Sequence, residues 1–278
     1  MKSLCILFVT AILLLVAGCG DDQTSRDDLA PAKPQFVPRS ADYVYPQIGI
    51  RPEPAPNERS YQARVEWFAN SEPDVAGYRV WRLAEDQTDL RNRFVVRDLR
   101  VGVDSELEGD PCSWVDVGDS TGFEGRGLNM LSPDIETGDS RGYFWYLEAY
   151  DEAGNRSEMS EPIYYRLLNI PYNLQVSPIG ARVYRLRWQY SFNSDVRPAY
   201  YMIRVYSYHW GADSVVWYQQ VQRYGSDEFV DMDFALANSP LVPDCTYFCQ
   251  LNAIATQRGD HADSLAGSAA LTTFIYRD

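Results

Sequence analysis

The chain has 278 residues, 45% hydrophobic and 14% aromatic, with 25 basic and 39 acidic side chains for a formal charge of −14. That length holds one or two domains with cores of their own. Acidity on this scale repels nucleic acid and anionic lipid headgroups, so neither is expected as a partner. The 20 Tyr, 7 Trp and 11 Phe suit strands better than helices.

Residues 1–18 read as an export signal. Lys2 supplies the basic start, residues 4–16 the apolar run, and small residues the cleavage site. Val16-Ala17-Gly18-Cys19 resembles the lipobox of bacterial lipoproteins. The resemblance implies cleavage after Gly18 and acylation of Cys19, and two or three acyl chains hold a protein durably on a bilayer. Gly20, rather than Asp, follows the cysteine, which favours an outer-membrane anchor, on its periplasmic face or at the cell surface. Residues 19–45 are acidic and Pro-rich without periodicity, the pattern of a disordered tether. As a coil such a tether spans about 25–30 Å, and roughly 80 Å extended, enough to hold folded domains clear of the membrane.

Residues 46–168 form the first expected domain. Ala63, Val65 and Trp67 alternate with polar neighbours, the period of a half-buried strand, and Gly77 to Arg82 suggests the next one. Trp114-Val115-Asp116 follows, then a Gly-, Ser- and Asp-rich stretch that reads as a surface insertion. The strongest signal is Y-F-W-Y-L-E-A-Y-D-E-A-G-N-R-S-E-M-S over residues 143–160. Tyr143, Trp145, Leu147 and Ala149 alternate with Phe144, Tyr146 and Glu148, and turn formers then reverse the chain into a second, polar strand. This run resembles the F strand, FG turn and G strand of bacterial fibronectin type III domains. The resemblance implies that Tyr143 forms a tyrosine corner, ring in the core and hydroxyl on nearby backbone, and that Trp67 is the core tryptophan.

A second copy occupies residues 169–278. Leu186-Arg187-Trp188 answers Val65-Glu66-Trp67, Phe229-Val230-Asp231 answers Trp114-Val115-Asp116, and Tyr247 to Ala253 answers Tyr143 to Ala149. Three landmarks in one order mark a repeat. Trp188 and Tyr247 then take the core-tryptophan and tyrosine-corner roles, and the last strand is expected over Ala269 to Tyr276. The fold class is all-β: two tandem immunoglobulin-like, fibronectin type III-like sandwiches behind a signal peptide and tether.

Catalysis is not indicated. His209 and His261 have no Cys or acid at metal-ligand spacing, and no nucleophile-elbow, phosphate-loop or zinc-protease motif occurs. No cofactor or metal is expected. Asp104-Ser105-Glu106-Leu107-Glu108-Gly109 mimics the start of a calcium loop but has Val115 where the closing Glu belongs. Cys112, Cys245 and Cys249 are expected as free thiols, since Cys245 and Cys249 lie about 13 Å apart on one strand.

Two binding features remain. With Tyr201, Ile203 and Val205 inward, Arg204, Tyr206, Tyr208 and Trp210 line an outer aromatic face suited to sugar rings or a protein partner. Arg258-Gly259-Asp260 falls in the second FG loop, where the integrin-binding fibronectin module carries the same tripeptide, although an ordinary polar turn also explains it. The expected function is non-enzymatic: binding, adhesion or spacing at the cell envelope with a protein or glycan ligand. The alternatives are a glycan-binding accessory lipoprotein and a structural subunit of an envelope complex.

Overall fold

The computed structural model describes residues 28–38, 49–54, 62–117, 142–191, 197–207, 215–222, 225, 227–256 and 265–277. Among them the regular structure is fifteen strands and single 3-10 turns, and no helix is long and apolar enough to cross a membrane. The strands follow from period-2 burial. In β3 (Gln62–Phe68), Ala63, Val65 and Trp67 are buried while Gln62, Arg64 and Glu66 are half-exposed.

In the first sandwich, β3 is the centre of one sheet. It pairs with β1 (Gln35–Phe36) and β2 (Ile50–Glu53) along one edge and with β6 (Cys112–Asp116) along the other. The facing sheet runs β5 (Phe94–Arg100), β4 (Val75–Ala84), β7 (Gly142–Asp151), β8 (Ile163–Leu167). Trp67, Tyr78, Val80, Trp145 and Leu147 close the core between them. The second sandwich repeats the plan. Its smaller sheet is β9 (Tyr172–Gly180), β10 (Val183–Gln189) and β13 (Asp227–Asp233); its larger one runs β12 (Val215–Gln222), β11 (Tyr200–Ser207), β14 (Thr246–Thr256), β15 (Leu265–Ile275). Trp188, Tyr201, Ile203, Tyr247 and Leu251 fill that core. The chain is therefore all-β, in two tandem immunoglobulin-like sandwiches.

Three expectations need correction. Residues 19–45 are not unstructured throughout, because Gln35 and Phe36 pair with Phe68 and Trp67 and so extend the first sandwich backwards. Pro31 and Pro34 are buried in front of that strand, where an edge tolerates a residue that donates no hydrogen bond. The polar strand expected directly after the 151–155 turn is delayed to Ile163. After a bridge between Tyr150 and Arg156, the hydroxyls of Ser157 and Ser160 accept the Ala149 and Leu147 N–H groups at 2.9 Å, in place of ladder carbonyls. The last strand starts at Leu265 rather than Ala269 and pairs with β14 throughout.

The two larger sheets merge into one of eight strands, because β8 and β15 pair in parallel: Tyr165 with Leu265, Arg166 with Ala266, Leu167 with Gly267. Beyond β8, the Leu168 N–H donates to the Gly267 carbonyl at 2.9 Å and the Ser268 hydroxyl to the Asn169 carbonyl at 2.6 Å. Leu168 itself packs into the second core. Parallel neighbours related in this way exchange faces. Leu167 points into the first core, yet its partner Gly267 shares the outward parity of Ala269 and Leu271 in the second sandwich. The outer face of the second half is thus continuous with the inner face of the first.

Candidate functional site

That continuity decides the fate of the aromatic face. Arg204 is 1% exposed and Tyr206 9%, with Met202 and Asn252 buried beside them. Arg204 donates through Nη1 to Asn252 Oδ1 at 2.7 Å. The parity assigned to these residues holds, but the first sandwich stands over the face: Pro52 of β2 lies against Gly267 of β15. Arg204 and Tyr206 are consequently not an open binding ladder. Tyr208, Trp210 and Arg258-Gly259-Asp260 lie outside the described residues, as do Cys19 and the insertion over residues 118–141.

Where the overhang ends, the sandwiches leave a groove of roughly 640 Å³. One wall is the solvent face of β2, β3 and β6, the other the end of the second outer face, with Tyr206, Phe248, Gln250 and Leu271. The first wall is built from two Arg-x-Glu triplets, Arg51-Pro52-Glu53 and Arg64-Val65-Glu66, on antiparallel neighbours. Register sets Arg51 opposite Arg64, and each guanidinium then reaches diagonally to the other strand's carboxylate. Arg51 Nη2 donates to Glu66 Oε1 at 3.0 Å. Arg64 grips Glu53 with two bonds, of 3.0 and 2.9 Å, and donates a third to Ser113 Oγ at 3.0 Å. On the second wall the Tyr206 hydroxyl donates to Gln250 Oε1 at 2.8 Å. Gly109, Asp110 and Pro111 close one rim.

The groove therefore offers fixed planar Arg and Glu groups whose charges cancel in pairs, with the Asp110 acid at the rim, facing aromatic and aliphatic surface. A pocket of this volume with a few oriented polar groups is the usual form of a small-molecule site. Sequence reasoning passed over Arg51, Glu53, Arg64, Glu66, Phe248 and Gln250. The twin Arg-x-Glu triplets were the readable signal for the first wall. Nothing in the sequence brings the second wall to it.

Other singled-out residues are structural. The Tyr247 hydroxyl accepts the Val242 N–H at 2.7 Å, and its ring sits in the second core. Tyr143 is buried under the Arg82 guanidinium, edge-on to Trp145. Trp67 and Trp188 are fully buried. Asp104 spends its carboxylate on the Arg100 N–H at 2.7 Å and on Arg97 at 3.1 Å. Among the described residues no cluster of His, Cys, Asp or Glu is placed to hold a metal. Cys112, Cys245 and Cys249 are free thiols; burial pushes Cys249 up to about 12. Another polar network lies elsewhere. Glu85 accepts from the Tyr164 hydroxyl, from the Gly142 N–H at 2.9 Å and from Arg166 at 2.7 Å. Burial alone would raise the Glu85 carboxyl, but these donors hold it below the ordinary range.

No family model matches the chain, and no curated protein matches it. Among solved structures the chain is similar to the FN1–FN3 domains of chicken CNTN1, at 14% identity and a TM-score of 0.32. That similarity covers 89% of this chain and 66% of the other, so the chain spans just under two thirds of that segment. It is also similar to a two-domain fibronectin type III segment from chicken tenascin, at 12% identity and a TM-score of 0.27, over 88% and 99% of the two chains. Overlaps this loose leave the fold to rest on the strand topology itself: two all-β, fibronectin type III-like sandwiches fused through their last strands.

Proposed function

We propose that this chain is a non-enzymatic, lipid-anchored protein of the cell envelope that binds an uncharged glycan segment between its two sandwiches. The observation that carries the reading is the groove wall in which Arg51 with Glu66 and Arg64 with Glu53 cancel each other's charge opposite Tyr206 and Phe248. Prepaired guanidinium and carboxylate groups carry little net charge and still offer both donors and acceptors, so they suit hydroxyl groups, which both donate and accept. Aromatic surface across the groove suits the apolar face of a sugar ring. The lipobox-like Val16-Ala17-Gly18-Cys19 supports the anchor, with the outer membrane favoured. A pure spacer fits less well, because it leaves the groove between the sandwiches without a role.

The test is titration of the unacylated protein with neutral oligosaccharides of glucose, mannose and N-acetylglucosamine, read by intrinsic fluorescence and saturation-transfer NMR. Binding lost in Phe248→Ala and in Arg64→Ala, with folding intact, supports the groove. Failure of the whole set to bind sinks the glycan reading in favour of a structural subunit, which co-purification would identify. Protease shaving of intact cells then places the domains outside or inside the outer membrane.

A further inference from the structure

The segment leading into β1 is fastened to one end of the first sandwich. The Ala32 N–H donates to Glu72 Oε1 at 2.6 Å, and the Ala32 carbonyl accepts from Asn70 Nδ2 at 2.7 Å. The Leu29 carbonyl accepts from Asn155 Nδ2 at 3.5 Å, and Lys33 pairs with Glu161. Pro31 and Pro34 are buried, Gln35 and Phe36 pair with β3, and the Val37 N–H donates to the Glu66 carbonyl at 3.1 Å. Asn70 and Glu72 belong to the β3–β4 loop and Asn155 to the turn after β7, so the attachment lies at the end of the sandwich where those connections meet.

We propose that this end of the first sandwich faces the bilayer, and that the far end of the second sandwich, with the C-terminus, points away from it. The proposal rests on the reading of Cys19 as the lipidated residue. It follows from two lengths. Between Cys19 and the docked Leu29 stand only residues 20–28. Fully extended, the ten steps reach about 33–36 Å; as a coil they span about 16–19 Å. Against that stands the height of the folded part. Tyr165 pairs with Tyr143, eight residues along β7 from Asp151, about 27 Å above the turn. There β15 begins, with Leu265 opposite Tyr165; it pairs with β8 over three residues and continues in the same direction to Ile275, ten residues past Leu265, about 33 Å. The far end of the molecule thus lies about 60 Å from the fastened end, beyond the reach of the tether even when fully extended. Tyr184, Tyr276 and the 3-10 turn Phe234–Leu236 mark that far end.

The near end carries Glu72, Asp74, Asp151 and Glu152. Such an end does not adsorb to anionic headgroups, so the short tether, and not surface attraction, sets the orientation. The starts of β8 and β15 face the same way along the parallel pair, with Leu265 staggered outward from Ile163. The glycan groove opens on the flank, between bilayer and far end.

The experiment uses the full acylated protein reconstituted into phosphatidylcholine vesicles containing a headgroup-labelled quencher lipid. Cys245→Ser removes the partly exposed native thiol, and a fluorophore is attached through Glu152→Cys at the near turn or Leu236→Cys at the far end. The expected result is strong quenching of the near label and none of the far label. A third protein, Asn70→Ala with Glu72→Ala, loosens the fastening and should bring the far label within reach of the quencher. Equal quenching at both ends, with the protein still floating on the vesicles, overturns the orientation and leaves the anchor standing. Failure to float overturns the lipid anchor, and the orientation with it.

Discussion

Gly267 stands directly against Tyr165: a methyl group in place of its hydrogen would lie 2.5 Å from the Tyr165 hydroxyl oxygen and 3.0 Å from the Ala253 carbonyl. Tyr165 is fully buried and the carbonyl is part of the β14–β15 ladder, so neither gives way easily. The junction between the sandwiches needs a residue with no side chain here. Gly267→Val should destabilise the joined sheet by about 1–3 kcal/mol. Hydrogen exchange at Leu168, whose N–H is held by the Gly267 carbonyl, should accelerate, and small-angle scattering should show a more open pair. An unchanged Leu168 amide would show that the junction does not depend on this contact.

The buried ion pair of the first sandwich makes a second prediction. Arg82 Nη1 donates to Asp116 Oδ2 at 2.7 Å with both side chains almost without solvent, and Trp145 Nε1 donates to the same oxygen at 3.0 Å. Asp116→Ala strands a buried guanidinium and should cost about 3–5 kcal/mol in urea unfolding. Arg82→Met combined with Asp116→Leu should recover most of that loss, because no charge is left behind. A single variant costing under about 1 kcal/mol would contradict this account.

Glu85 predicts an acid-sensitive window. An unfolded Glu ionises near 4.5, and the folded carboxyl lies below that. As pH falls through and below 4.5, the unfolded chain therefore takes up the proton first and stability declines; above that window the contribution is fully present. Urea midpoints measured from about pH 6 down to about pH 3.5 should fall more steeply in the wild type than in Glu85→Gln. Parallel slopes would assign the acid sensitivity to other carboxylates.

The thiols predict a labelling order. Burial pushes Cys249 to about 12, and burial with the nearby Asp110 raises Cys112, while Cys245 is partly exposed. Near pH 8, iodoacetamide should modify Cys245 alone in the native protein, with Cys112 and Cys249 reacting only on unfolding. Mass spectrometry of the digested protein reads the result, and early modification of Cys249 would mean that the second core opens readily.

The strands were legible where one face of the chain is dry. Trp188 and Leu251 alternate with polar residues because a half-buried strand repeats every two residues, and the repeat of landmarks exposed the second sandwich. The same parity held an unread signal: Arg82 shares the inward face of Tyr78 and Val80, so an arginine there must find an acid, and Asp116 sits inward on the facing sheet. The site was much less legible. Arg204 and Tyr206 were assigned to the correct face of β11, but parity says only which face a residue takes, and not what lies over it.

What the sequence determined by itself is thus local and periodic: the all-β class, the two copies and the inward aromatic residues. The parallel joining of β8 to β15 was decided by the tertiary structure alone. Its contacts link residues about a hundred positions apart through backbone groups that every residue possesses, marked only by Gly267 and its missing side chain. From that joining come the exchanged faces, the covered Arg204, and the groove that sets Arg64 and Glu53 opposite Phe248. These are consequences of register between two domains, to which no periodicity within either strand corresponds.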